Sequence, residues 1–206
     1  MHPNPVFRTS GTPQDIALVR DRGFGTLAVN GDAGPLMSHV PVLLSPDADR
    51  VEMHLVRSNP IARLAMPVPA VIAVTGPDGY VSPDWYGAEG QVPTWNYVAV
   101  HLRGRLVALE PGDMRAHLDR LSDHFEARIA GKPPWTTDKM DASALDRMMR
   151  QILPFRLEVD GIEGTWKLNQ NKADTVRLRA ADHVEAGIGA ELAALAGLMR
   201  APPDAG

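Results

Sequence analysis

TWNYVAVHLRGRLVALE, residues 94–110, alternates along much of its length. In an extended chain Trp95, Tyr97, Ala99 and His101 fall on one side, and Asn96, Val98, Val100 and Leu102 on the other. The second side reads as core, which leaves the first free to meet something else. A strand this long suits one that bends and continues around a barrel. Just upstream, AVIAVTG (70–76) is apolar throughout, as expected of a central strand. RVEMHLVR (50–57) sets Val51, Met53 and Leu55 against Glu52, His54 and Val56. FGTLAV (24–29), NGDAG (30–34) and PLMSHVPVLL (35–44) read as a hairpin, with Asn30–Gly31 and Ala33–Gly34 tolerating positive φ in the turn. TPQDIALVRDRG (12–23) is a helix with Thr12 as cap, Pro13 in the first turn and Gly23 as its stop.

Downstream, PGDMRAHLDRLSDHFEARI (111–129) and ASALDRMMRQIL (142–153) are helices flanking a proline-rich loop, and FRLEVDGIEGTWKL (155–168) is the last strand. The pattern predicts an α+β protein, a small, mostly antiparallel six-stranded barrel with peripheral helices. No repeat or compositional break divides it. Residues 1–206 are expected to form one domain, with helical elaborations near 111–151 and a C-terminal helix near 186–200.

Composition narrows the function. The 206 residues are 44% hydrophobic and 22% charged, as in an ordinary globular protein with a real core. With no cysteine, disulfides, thiol catalysis and iron–sulfur clusters are excluded. A net charge of −4 works against a large non-specific contact with phosphate backbones, and no helix-turn-helix with a basic recognition helix is evident. No apolar run is long enough for a membrane span, and the N-terminus lacks a basic leader, so cytoplasm is the expected location. G-x-S-x-G, P-loop and complete G-x-G-x-x-G motifs are missing, as is a close acidic pair.

Three stretches can carry chemistry. In LVRSNPIARL (55–64), a strand end, a capping Ser58 or Asn59, Pro60 at a first helical position, and Arg57 and Arg63 suit a phosphate. They suit an ordinary capped helix with solvated arginines as well. YVSPDWYGAEGQVPTWNYVAVH (80–101) holds five of the chain's eleven aromatic residues, with Ser82, Thr94 and Asn96 among them. Flat rings with a few polar groups fit a planar ligand such as a flavin, and equally a subunit interface. EGTWKLNQNK (163–172) places Trp166, Lys167, Gln170 and Asn171 past a strand end, where they can line a ligand's polar rim; the alternative is a polar helix start capped by Asn169. His39, His54 and His101 lie on strands without local metal spacing, so no metal site is assigned, and His2, His117, His124 and His183 read as surface residues.

In chain order, LVRSNP, YVSPDWY, VPTWNYVAVH and KLNQNK resemble the PaiB-type FMN-binding negative transcriptional regulators. That family is a branch of the FMN-binding split-barrel group that includes the pyridoxamine-phosphate oxidases. The resemblance runs from Met1 to about Asn171 and implies a homodimeric split barrel with FMN at the dimer interface. By position, it makes Arg57, Ser58, Asn59 and Arg63 phosphate ligands and sets Ser38 and His39 against the ribityl chain or ring edge. Trp95, Asn96, Lys167, Gln170 and Asn171 would then complete the isoalloxazine pocket. Two features depart from the family pattern: Asn169 stands where serine is expected, and the GAEGQ connection is short. The regulatory role implied leaves direct DNA binding open. The rival readings are a flavin-dependent oxidoreductase, with His39 or His101 as proton donor, and a haem-handling protein or an interaction module on the same barrel.

Overall fold

The computed structural model describes residues 2–203, which divide into two compact units. The first comprises the chain up to Leu18, Val74–His101 and the part from Ile162 onward; the second comprises Val19–Ala73 and Leu102–Gly161. Three long strands run through both: β6 (Val68–Val81), β7 (Thr94–Ala108) and β8 (Ile152–Lys167).

In the second unit, β2 (Phe24–Gly31) and β3 (Gly34–Pro41) form an antiparallel hairpin across Asp32–Ala33. Positive φ falls on Gly34 rather than on Asn30 or Ala33. β2 continues antiparallel onto Ala70–Ala73 of β6. On the far side β4 (Leu43–Leu44) pairs with β5 (Arg50–Val56), and β5 pairs with β8. Val51, Met53 and Leu55 are buried while Glu52, His54 and Val56 are not, as the alternation predicts. Where β7 meets β8, only glycine fits at position 104, because a Cβ there would sit 1.8 Å from the carbonyl oxygen of Glu158. Helices α2 (Met114–Glu126) and α3 (Ala142–Met149) lie in this unit.

In the first unit, β1 (Arg8–Ser10) pairs with the end of β8, and β9 (Gly189–Ala190) with β6. Helices α4 (Asp174–Val184) and α5 (Leu192–Arg200) pack over a core that includes Val81, Tyr86, Val98, Trp166, Leu168 and Leu195. Arg177, itself buried, donates to the carbonyls of Met199 and Arg200 at the end of α5 and to Asp174 Oδ1. It thereby satisfies carbonyls that a helix end leaves open.

The strand order, β3-β2-β6-β7-β8-β5-β4 with β1 and β9 off this path, gives nine strands rather than the six expected. The additional three, β1, β4 and β9, have two or three residues each, too few to show an alternation. PLMSHVPVLL is broken because Pro41 has no N–H to donate and Val42 gives its own to the carbonyl of Gly23. The path ends at β3 and β4, with no ladder between them among the described residues, so the sheet is open and not a closed barrel.

The first unit is organised by a buried carboxylate. Thr12 and Asp15 form a capping box at the start of α1 (Pro13–Arg22): Asp15 Oδ2 accepts from the backbone N–H and the hydroxyl of Thr12, whose Oγ1 accepts from the Asp15 N–H. Asp15 Oδ1 also accepts from Thr9 Oγ1 at 2.7 Å and from Trp166 Nε1 at 2.8 Å. A Cβ at Gly164, opposite Thr9 in the ladder, would lie 2.0 Å from Asp15 Oδ1. Asp15→Ala leaves four donors without this acceptor and is expected to cost about 3 kcal/mol in urea denaturation at neutral pH. Gly164→Ala should destabilise as well, by displacing the carboxylate. A loss below about 1 kcal/mol for both variants would show that the network does not organise this unit.

Candidate functional site

Six of the residues singled out for the cofactor lie in the second unit. The chain leaving β5 at Arg57 turns through Ser58, Asn59 and Pro60 into a single 3-10 turn, Ile61–Arg63, shorter than the helix expected. Asn59 builds this turn: its Oδ1 accepts the N–H of Ile61 at 2.9 Å and its Nδ2 donates to Ser38 Oγ, on β3, at 3.1 Å. Next to Ser38 on β3, His39 Nδ1 lies 3.0 Å from Thr26 Oγ1. Ser58 and Arg63 are exposed, and among the described residues neither side chain has a hydrogen-bonding or ionic partner. Arg57 is exposed as well. Its Nε donates to the carbonyl of Arg150 at 2.6 Å, and its backbone N–H to that of Gln151.

The other five lie in the first unit. Trp95 is 46% exposed and meets the edge of the Tyr80 ring at a centroid distance of 6.4 Å. Tyr86 is in the core and Trp85 stacks on His183, while Tyr80 and Trp95 meet edge to face. Lys167 Nζ donates to Thr94 Oγ1 at 2.5 Å, and its pKa is lowered by burial and then by the charge of Lys172. Lys172 Nζ lies 4.5 Å from the centre of the Tyr86 ring. Asn96 is fully buried on the core side of β7, and neither polar atom of its side chain has a partner among the described residues. Such an arrangement costs about 1–3 kcal/mol per group in the absence of a bound water or ligand.

The turn after β8 differs from the expectation. Asn169 does not cap a helix; it adopts φ 64, in the left-handed region, and is buried against the Tyr86 hydroxyl, to which its Nδ2 donates at 3.2 Å. Asparagine suits this position because it tolerates left-handed backbone better than most residues. Gln170 closes the turn on itself, accepting the N–H of Leu168 and donating to the carbonyl of Trp166. Asn171 is exposed, and Trp166 points into the core.

One cluster was not anticipated. His117, read from sequence as a surface residue, is fully buried because α2 turns it inward with Met114 and Leu121. Its Nε2 lies 3.1 Å from Nδ1 of His54, and its Nδ1 is 3.5 Å from Glu52 Oε2, which also accepts from Arg120 at 2.6 Å. Burial lowers the pKa of His54 to about 4, with the His117 charge adding to the effect. Burial also lowers His117, partly offset by Glu52. At Glu52 burial acts upward, but hydrogen bonds from Arg120 and His117 outweigh it and the pKa is lowered. No group of three or more histidine, aspartate or glutamate side chains is placed to hold a metal among the described residues.

An open antiparallel sheet with flanking helices makes this an α+β protein, with Ser38, Asn59 and the exposed Arg63 at the turn after β5 in the second unit and Trp95 and Lys167 in the first. Residues 1–161 match the family described as "Putative FMN-binding domain", and the chain belongs to that FMN-binding family. It is 28% identical over 172 residues to "Protease synthase and sporulation protein PAI 2" of Bacillus subtilis, covering 82% of each chain. This bears out the resemblance to PaiB-type proteins. Among solved structures, the FAD and heme binding protein of Mycobacterium smegmatis has the same fold, with a TM-score of 0.57 at 20% identity over 82% of this chain and 78% of that one. The flavocytochrome Anf3 of Azotobacter vinelandii gives 0.58 at 13% identity, over 78% and 69%. Lys167, Gln170 and Asn171 fall beyond the residues matched to the family.

The histidine pair gives the fold a pH dependence whose sign is fixed. His54 is lowered from 6.5 to about 4, so between these values the unfolded chain binds more protons than the folded one. Its contribution is present above pH 6.5 and is lost as pH falls towards 4. The urea midpoint should therefore drop between pH 7 and pH 5, and His54→Gln should flatten that drop. Equal midpoints at both values for the unmodified chain would mean that the imidazoles are not held neutral.

Proposed function

We propose that the chain binds FMN as a cytoplasmic homodimer, with the phosphate held at the turn after β5. The observation that carries this reading is the hydrogen bond between Asn59 and Ser38 beside the unpartnered Arg63, in a chain belonging to an FMN-binding family. The donor set fits the ligand: a hydroxyl from Ser38 and another from Ser58, an amide from Asn59, and a guanidinium from Arg63 can all serve a phosphate dianion. His39 stands beside Ser38 and is assigned to the ribityl chain. Trp95 is assigned to the face of the isoalloxazine and the ammonium of Lys167 to its polar edge. A cation beside the ring suits the negative charge that a flavin gains on reduction, and FMN bound there supplies hydride or single-electron chemistry. Asn96 offers an amide with unused donors and acceptor, whereas Gln170 acts through the turn it closes and Asn171 is a peripheral candidate.

The role we favour is that of a flavin-dependent regulator of the PaiB type. Support comes from the match to PAI 2, which is named a protease synthase and sporulation protein. Acidic net charge argues for regulation through a partner or through metabolism rather than by wrapping DNA.

The test is retention of flavin. Protein mixed with FMN and freed of excess should keep flavin absorbance and run at twice the mass of one chain. Arg63→Ala removes a charge-assisted contact worth about 1.5–3 kcal/mol and should raise the Kd for FMN about 10- to 150-fold. A change within about threefold sinks the phosphate assignment alone; a chain that never retains flavin sinks the whole reading.

A further inference from the structure

The helical part of the second unit contains a cavity to which the flavin reading assigns nothing. It has a volume of about 770 Å³ and lies among α2, α3 and the loop that carries Trp135. Its walls include Leu118, Trp135, Met140 and Met148, the last 60% exposed at the mouth. The volume falls within the range of small-molecule sites, and thioether side chains adapt to varied apolar shapes. The loop is fastened in place: the carboxylate of Glu126 at the end of α2 accepts the backbone N–H of Trp135 at 2.7 Å and pairs with Lys132. α3 is fixed at its start by Asp141, whose Oδ1 accepts the N–H of Ala144 at 2.9 Å.

The polar groups of the wall point to the class of ligand. Arg147 is the one charged residue lining the cavity, and its guanidinium reaches only the uncharged Ser143 Oγ. Ser122 and Gln151 also line it, and neither side chain has a hydrogen-bond partner among the described residues. An apolar chamber with one unneutralised cation and two idle polar side chains is matched by an amphipathic organic anion. We propose that this cavity binds such a molecule, an aromatic or aliphatic body carrying a single carboxylate or sulfonate, at a site separate from the one that holds FMN. None of Ser38, His39, Ser58, Asn59 or Arg63 lines it.

Two probes of nearly the same body separate charge from shape. 1-Anilinonaphthalene-8-sulfonate carries the anion, and N-phenyl-1-naphthylamine is its neutral parent. In titrations of the FMN-saturated protein, the sulfonate should fill one site per chain. Arg147→Gln should weaken the sulfonate about tenfold and change the neutral amine by less than twofold. Ala144→Trp, which fills the chamber, should abolish binding of both probes. If Ala144→Trp does not fold, Arg147→Gln decides, since its side chain is exposed. A sulfonate Kd unmoved by Arg147→Gln, or failure of either probe to bind because a second copy of the chain covers the cavity, overturns the proposal.

Discussion

The carboxylate of Asp15 is the contact on which the first unit depends. A buried charge is tolerated only when nearly all its lone pairs are used, and here four donors reach two oxygens. Those donors come from β1, the cap of α1 and the end of β8, places far apart in sequence that one carboxylate holds in register. Exposed ion pairs such as Arg200 with Asp182 and Glu185 contribute far less, because water screens them and long side chains must be ordered. Gly164 belongs to the same constraint: the space a side chain would occupy is taken by the carboxylate and by Thr9 Oγ1.

The parts of the fold legible in sequence are those in which burial imposes a period. β5 and β7 alternate, and their buried faces are the ones read from the alternation. α4 was not anticipated because its buried face is built from Arg177, Ala180, Ala181 and Val184, a small and partly charged stripe without the large apolar residues that announce a helix. β1, β4 and β9 were invisible for a different reason: a two- or three-residue strand has no period. His117 was misjudged because the partners that make its burial tolerable, His54 and Glu52, come from β5, far away in the chain.

At the site, the sequence carried residue types and spacing but not orientation. The sequence singles out the serine, asparagine and arginine of the turn after β5 by type and spacing, and the link from Asn59 to Ser38 emerges only when β3 is laid beside that turn. Among the aromatics, composition pointed to one cluster where the structure makes three environments: Tyr86 in the core, Trp85 on His183, and Trp95 exposed beside Tyr80. In KLNQNK the sequence sets Gln170 and Asn171 at a ligand's rim, with Asn169 as the alternative helix cap, yet in the fold Asn169 and Gln170 serve the turn and Asn171 is left to solvent.

Arg57 and Arg63 make the same point with two identical side chains. Both flank the turn, and spacing alone treats them alike. Arg150 follows the last residue of α3, where carbonyl groups lack helical partners and carry the negative end of the helix dipole. Arg57 lies within reach of that end, and the hydrogen bond from its Nε to the Arg150 carbonyl occupies one side of the guanidinium and fixes its direction. Its backbone N–H, given to Gln151, ties the end of β5 to the same segment. Arg63 has no such competitor among the described residues, so its full positive charge stays available to an anion. The difference is set by residues almost a hundred positions away: Arg57 is tied to the end of α3, while Arg63 has no partner among the described residues.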